Sequence, residues 1–407
     1  VRTAFTMPAA VESGPKQSKV FASFFKKKSL FFLFFFEKKN QKTFDCLPRT
    51  KRQPRRLAPA RGVPALCGAA LSEQVALLFL FLAVLSGVLV ALMIRLGALD
   101  HPGARSSHSV PTPKGGGVGI GAAYVVGMAW LAHTHRAPFT ALTLLPAALL
   151  LAVVSYFDDV RQWPFFAKLA AQLLCSALVA TVFGFMIMHE WLAAPAGSIW
   201  VAAVPVLFAW LMYVTNAVNF IDGLNGLAAG SVAIAAAAQA TTVAAPIGAQ
   251  GLVLVAGVIG FLPFNFPRAR IFMGDVGSQL CGFVIAGLAI QAITDRRAAL
   301  IAPLALAPIL TDVAYTLARR ARRGDRLVQA HRGHLYQVAN RAGVSAPAVT
   351  ALYWCMAAWG AACGVLAGRI DPAVPAAIAA VLMALAPMVA WLRYVMLQAK
   401  RAGITVW

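Results

Sequence analysis

Polar residues in this chain are confined to short breaks between long apolar blocks. The blocks fall at residues 75–97, 117–135, 140–157, 166–187, 198–215, 227–244, 248–264, 278–294, 299–317, 347–367 and 372–396. Each lies near the ~20 apolar residues needed to cross a bilayer. They predict an all-α, polytopic membrane protein of about eleven transmembrane helices. Composition agrees: 60% of the residues are hydrophobic and 12% charged, and mean hydropathy is +0.73. Soluble domains carry about 25% charged residues.

Strict alternation of these spans places the linkers near 98–116, 158–165, 216–226, 265–277 and 318–346 on one side, together with the C-terminus. Of the 21 Lys and Arg from residue 73 onward, 17 fall in or beside these segments. The remaining four, Arg136, Arg296, Arg297 and Arg369, fall on the other side. The positive-inside rule then makes the crowded face cytoplasmic.

Residues 1–72 form a separate region beside the membrane domain at 73–407. They hold 15 Lys and Arg against 3 acids, with a Phe-rich run at 31–36 that is too short to span. A signal peptide needs a longer apolar core and a clear cleavage site. A basic surface or nucleic-acid-binding arm is one reading. A reading frame extended upstream of a true start near residue 70 accounts better for the composition, and no function is assigned to this tail. The cysteines, Cys46, Cys67, Cys175, Cys281, Cys355 and Cys363, form no C-x-x-C pair and imply neither a disulfide framework nor a zinc site.

Only 14 acids occur in the chain, yet Asp158, Asp159, Asp222 and Asp275 all sit at the ends of apolar blocks. A carboxylate beside a bilayer is unfavourable unless it pairs, binds a cation or faces water, so these are functional candidates. Adjacent Asp158 and Asp159 repel one another and call for a compensating cation or phosphate chemistry, although a helix cap would also place an Asp there. Asn216, Asn219, Asp222 and Asn225 recur every three positions, which sets them near one face of a helix or turn. A polar lock between helices is the structural alternative. Asp275 lies between Gly274 and Gly277, where it can cap a helix or reach a hard cation such as Mg²⁺. Arg268 and Arg270 can pair with phosphates, and Phe272 can stack on a base.

The first linker, with Arg105, His108 and Lys114 around prolines and a Gly-Gly-Gly run, offers backbone N–H groups and positive charge to an anion. The last carries clustered arginines, suited to anionic head groups, and then His331, Arg332 and His334, which can donate to a diphosphate. Asp312, inside the block at 299–317, is expected to pair with a nearby arginine and to be structural.

The series Asp100-x-Pro102-x-x-Arg105-x-x-His108-x-x-Pro111-x-Pro113, Asp158-Asp159, Asn216-x-x-Asn219-x-x-Asp222-Gly223, Phe272-Met-Gly-Asp275-x-Gly-Ser278 and His331-x-x-His334 resembles the polyprenyl-phosphate N-acetylhexosamine-1-phosphate transferases. This group, glycosyltransferase family 4, includes the phospho-N-acetylmuramoyl-pentapeptide transferase. The resemblance covers about residues 75–395. It implies a bacterial inner-membrane enzyme with its active site at the cytoplasmic face. There a polyprenyl phosphate such as undecaprenyl phosphate attacks the sugar-bound phosphorus of a UDP-N-acetylhexosamine, giving polyprenyl diphosphate-sugar and UMP.

By the same resemblance, Asp275 and Asn219 would hold Mg²⁺, with Mn²⁺ as a substitute. Asp158 and Asp159 would deprotonate or position the lipid phosphate, and Asn225 and Phe272 would contact uracil. His331, Arg332 and His334 would hold the diphosphate or the sugar, and Arg105, His108, Lys114, Asn216, Asp222 and Arg270 would line the substrate site. Many bacterial members carry Asp at the position of Asn225. The run His331-Arg-Gly-His334-Leu-Tyr-Gln departs from the muramoyl-pentapeptide enzyme and looks more like the O-antigen-initiating branch, whose donors carry GlcNAc, FucNAc or QuiNAc. Membrane lipids are expected partners, nucleic acid is not, and a homodimer is compatible with the reading. The rival from another class is a proton- or metal-coupled transporter, which would place its ionisable groups near the bilayer midplane on broken helices.

Overall fold

The structure is a computed structural model and describes residues 65–404 apart from 101–109, 162, 164, 192–198, 244, 296 and 327–330. Its helices are α1 (Ala65–Leu96), α2 (Gly117–His133), α3 (Ala141–Arg161), α4 (Phe165–Trp191), α5 (Ile199–Ile221), α6 (Leu227–Ala240), α7 (Ala245–Asn265), α8 (Gly274–Gln291), α9 (Ile301–Ala305), α10 (Ala307–Arg322), α11 (Leu335–Arg341), α12 (Ala346–Ala367) and α13 (Ala373–Arg401). A 3₁₀ turn over Ala292–Thr294 extends α8. Two antiparallel pairs of residues, Leu99–Asp100 (β1) and Thr112–Pro113 (β2), tie the first linker into a narrow ladder.

Every apolar block contains helix, but the expected count of about eleven spans is overturned. Seven helices among the described residues are long and apolar enough to cross a membrane: α1, α3, α4, α5, α7, α12 and α13. The four other blocks fail for identifiable reasons. At 1.5 Å per residue, the 14 residues of α6 reach only about 21 Å, short of the ~30 Å apolar core of a bilayer, and the 17 of α2 fall short as well. The block at 299–317 breaks at Leu306 into α9, of five residues, and α10, whose last turn carries Arg319, Arg320 and Arg322. The α8 helix holds Asp275, Gln279 and Gln291 and is buried by protein from Val276 to Gln291. An apolar block reports burial, and here part of that burial is against protein and not lipid. The face assignment built on strict alternation goes with the count.

The buried helix α8 is the axis of the fold, packing against α2, α3 and α5, while α6 packs between α7 and α12. Outer helices leave large apolar side chains uncovered, among them Leu77, Phe81 and Val88 on α1 and Val374, Ile378 and Leu382 on α13. Such faces suit lipid. The α2 and α8 helices approach closely, and a β-carbon on Gly117 would stand 2.2 Å from the Gly277 Cα.

Asp312 on α10 is fully buried and anchors the segment after the arginine-rich linker. Its carboxylate accepts from the backbone N–H groups of Leu335 (2.9 Å) and Tyr336 (3.2 Å), the Tyr353 hydroxyl (2.6 Å) and the Thr316 hydroxyl (3.2 Å). It also meets His334 Nδ1 at 3.3 Å. Asp312 is structural, as expected, but its partners are these groups and not an arginine. Truncation to Asp312→Ala strands two buried N–H donors at the start of α11, and unsatisfied buried donors cost ~1–3 kcal/mol each. The variant is expected to lose at least ~2 kcal/mol, read as a lower thermal midpoint of the detergent-purified protein, and Asp312→Asn should lose less.

Candidate functional site

Five segments separated in sequence line one cavity of about 770 Å³. The first linker contributes Asp100, Thr112 and Lys114, the end of α3 contributes Asp159, and the end of α5 with the following turn contributes Asn219, Asp222 and Asn225. The α7–α8 connection adds Arg268, Phe272 and Asp275, and Gln337, Asn340 and Ala346 come from α11 and the start of α12.

Asp275, in the first turn of α8, is the hub. Its Oδ1 accepts from Asn219 Nδ2 at 2.9 Å, its Oδ2 is engaged by the Lys168 ammonium, and its backbone N–H donates to Asp159 Oδ2 at 2.9 Å. Asn219 Nδ2 also donates to Ser278 Oγ at 2.8 Å. The same Lys168 Nζ lies 3.8 Å from Asp158 Oδ2, so one ammonium serves two carboxylates. Glycine at 274 makes this possible. It adopts φ +74°, and a β-carbon there would stand 2.8 Å from Asp159 Oδ2, so a side chain would displace the carboxylate from the helix start. Negative charge at a helix N-terminus is itself favourable.

The first linker docks on this motif through backbone bonds. Phe272 N–H donates to Pro113 O (2.8 Å), and Gly116 N–H donates to Phe272 O (2.9 Å), which sets the Lys114 side chain at the cavity, 3.1 Å from Asp100. On the opposite wall, Asn225 Nδ2 donates to Pro267 O (3.2 Å), and Asn265 accepts from Gly226 N–H and donates to Ile271 O (2.9 Å).

The structure therefore brings Lys114, Asp159, Asn219, Asp222, Asn225, Phe272 and Asp275 to one cavity, with Asp158 joined to it through Lys168. Asn216 sits a turn below, exchanging side-chain hydrogen bonds with Gln172, which also donates to Gln279. That trio is a polar lock between α4, α5 and α8. Arg270 lies over the Phe264 ring at 4.9 Å, away from the cavity, while Arg268 lines it. His331, Arg332 and His334 stand outside the lining, with His331 and His334 stacked at 4.9 Å. Arg105 and His108 lie outside the described residues.

Lys168 escaped the sequence reading, because a lysine in the first turn of α4 reads as ordinary positive-inside charge. Asn265, Gln337 and Asn340 carried no comparable signal, being amides in ordinary turn and helix contexts. Among the described residues, no group of three or more His, Cys, Asp or Glu side chains is arranged to hold a metal ion. What the cavity presents is a set of hard oxygen donors, the carboxylates of Asp159, Asp222 and Asp275, with lysines beside them.

Asp222 is held well above the usual carboxylate range, first by desolvation and then by the negative charge of Asp275 and Asp159. His331 is held down to about 4, chiefly by desolvation and then by His334, Arg320 and Arg319. It is therefore neutral at pH 7, and with Nδ1 accepting from Gly333 N–H (3.1 Å) it keeps its proton on Nε2.

These features define a membrane-embedded protein whose one-sided cavity combines carboxylates, amides and cations, a donor set suited to phosphates and hard cations. Residues 141–293, which carry Asp158, Asp159, Asn219, Asp222 and Asp275, match the family model described as glycosyl transferase family 4. The chain is 30% identical over 212 residues to a probable undecaprenyl-phosphate N-acetylglucosaminyl 1-phosphate transferase of Bacillus subtilis (strain 168), covering 51% of this chain and 59% of that protein. It is 31% identical over 224 residues to the decaprenyl-phosphate N-acetylglucosaminephosphotransferase of Mycolicibacterium smegmatis, covering 49% and 54%. It is 33% identical over 200 residues to the phospho-N-acetylmuramoyl-pentapeptide-transferase of Latilactobacillus sakei, covering 44% and 61%. The matches thus span between about half and three-fifths of the length of these relatives. At the level of family, the chain matches glycosyl transferase family 4 over residues 141–293 and is similar to its polyprenyl-phosphate sugar-1-phosphate transferases.

Two outcomes follow from the electrostatics. Asp222→Asn removes a desolvated, repelled carboxyl, so it should raise the thermal midpoint of the ligand-free protein at pH 7, by ~2–4 °C for each kcal/mol recovered. For His331 the folded value lies below the unfolded ~6.5, so its contribution to stability is present above pH ~6.5 and is lost as pH falls towards 4. Between pH 7.5 and 4.5, the thermal midpoint of His331→Gln should therefore fall less than that of the unaltered protein.

Proposed function

We propose that this chain transfers N-acetylhexosamine 1-phosphate from a UDP-sugar to a polyprenyl phosphate, giving polyprenyl diphosphate-sugar and UMP. The observation that carries the reading is the convergence of Asp159, Asn219, Asp222 and Asp275 with Lys114 at a single cavity, with Lys168 paired to Asp275 beside it. In the reaction a lipid phosphate oxygen attacks the sugar-bound phosphorus, the bond from that phosphorus to the bridging oxygen breaks, and UMP leaves. Such transfers depend on positioning and on neutralising charge.

The residues divide the work. A phosphate monoester has a second pKa of about 6, so the lipid phosphate is already largely dianionic at pH 7 and needs orientation more than a base. Asp159, whose Oδ2 is committed to the Asp275 N–H, holds the start of α8 in place. Lys168, shared by Asp158 and Asp275, is the cation offered to the incoming phosphate. Lys114 and Arg268 can meet the nucleotide diphosphate, and Phe272 offers a ring face for uracil. From outside the lining, the neutral His331 would donate through Nε2–H to the diphosphate or sugar end with Arg332 beside it, while His334, held by Asp312, would fix the segment that carries them. A Mg²⁺ ion would suit Asp275 and the Asn219 side-chain oxygen, because this ion takes one or two carboxylates and completes its shell with substrate phosphates and water. When bound it would neutralise the diphosphate and stabilise charge developing on the leaving oxygen.

The donor is proposed to be UDP-GlcNAc and the acceptor undecaprenyl phosphate, in keeping with the names of the relatives in Bacillus subtilis and Mycolicibacterium smegmatis. UDP-FucNAc and UDP-QuiNAc are the alternative donors. The product would initiate O-antigen or another cell-envelope polysaccharide, with the cavity at the cytoplasmic face of the bacterial inner membrane, where a soluble nucleotide arrives from one side and a lipid from the bilayer.

Purified protein given UDP-GlcNAc, undecaprenyl phosphate and Mg²⁺ is expected to release UMP. EDTA or Asp275→Ala should lower the rate ~10²-fold or more. Solute uptake into proteoliposomes without UMP release would instead support a transporter.

A further inference from the structure

A second cavity, of about 640 Å³, lies at the far end of the molecule from the first. Three helices fix that relation. The α6, α8 and α12 helices begin beside Asn225, Asp275 and Ala346 of the first cavity and end beside Thr242, Asp295 and Gly368 of the second. With 14, 18 and 22 residues, they span about 21 to 33 Å. The second cavity therefore faces the opposite membrane surface.

Arg297 and Arg369 line it. Both are exposed, and neither guanidinium has a hydrogen-bond or ion-pair partner among the described residues. Acceptors face them. Asp295 Oδ1 takes the Arg297 backbone N–H at 2.9 Å, leaving Oδ2, and the Thr241 and Thr242 hydroxyls spend their protons on Ala238 O, leaving lone pairs. Each guanidinium presents a fork of donors that suits a phosphate, and the Asp295 carboxylate with the hydroxyl oxygens suits an ammonium. The volume falls within the range of small-molecule sites.

We infer that this cavity binds the head group of a zwitterionic phospholipid, with the phosphate on Arg297 and Arg369 and the primary ammonium on Asp295 and the Thr241–Thr242 oxygens. The inference is independent of the transfer reaction, since it uses no residue of the first cavity.

Delipidated, full-length protein in detergent, titrated with phosphatidylethanolamine and followed by native mass spectrometry, should retain a bound lipid. The Arg297→Gln, Arg369→Gln double variant should bind it roughly tenfold more weakly or worse, since each charged hydrogen bond lost is worth that order. Arg369→Gln alone gives the same reading in weaker form if the double variant fails to fold. Arg136→Gln, on the same side but with its guanidinium over the Trp130 ring at 5.4 Å, should bind as the unaltered protein does. Equal retention of phosphatidylglycerol, displacement by millimolar inorganic phosphate, or unchanged retention in the arginine variants would each overturn the assignment.

Discussion

The constraint on which the rest depends is the crowding of carboxylates at the N-terminal end of α8, where it meets the cavity. Asp275, Asp159 and Asp222 line one cavity, with Asp158 next to Asp159, and the negative charge of Asp275 and Asp159 adds to the desolvation of Asp222. Like charges in a poorly solvated setting are unfavourable unless something offsets them. Here the offsets are the Lys168 ammonium, the Asn219 amide, the α8 N-terminus and the Asp275 backbone N–H. Such an arrangement suits a site that receives cations and phosphates in turn.

The surrounding fold serves that crowding. Gly274 lets Asp159 reach the helix start, Gly117 and Gly277 let α2 approach α8, and the first linker is bonded to Phe272 by its backbone. On the other flank, Asp312 gathers the N–H groups of Leu335 and Tyr336. Tyr336 in turn donates its hydroxyl to Phe220 O (3.0 Å), beside the turn that carries Asp222. Two rigid scaffolds thus meet at the cavity from sides far apart in sequence.

Much of the site was legible in the sequence because acids are rare here and charged groups beside apolar blocks need a reason. That argument led directly to Asp159, Asp222 and Asp275, and the recurrence every three positions led to Asn219. It led less surely to Asn216, which proved to be part of a lock with Gln172 and Gln279. Periodicity along one chain cannot tell which neighbour a side chain will meet. The helix positions were equally legible, but the number of spans was not. Hydropathy gives α6 or α8 the same signal whether its surroundings are lipid or other helices. Lys168 was missed because a basic residue at a helix edge reads as ordinary positive-inside charge, and only its approach to Asp275 and Asp158 distinguishes it.

The central claim is that the cavity around Asp275 is where a lipid phosphate meets the sugar-bound phosphorus of a nucleotide sugar. Its most direct test uses UDP-GlcNAc labelled with ³²P at the β-phosphate, incubated with the protein and undecaprenyl phosphate and then extracted into organic solvent. The account predicts that the label moves into the lipid phase with the unaltered protein and stays in the aqueous phase with Asp275→Ala. Label that remains on the nucleotide with the unaltered protein, across a panel of UDP-N-acetylhexosamines, would contradict it.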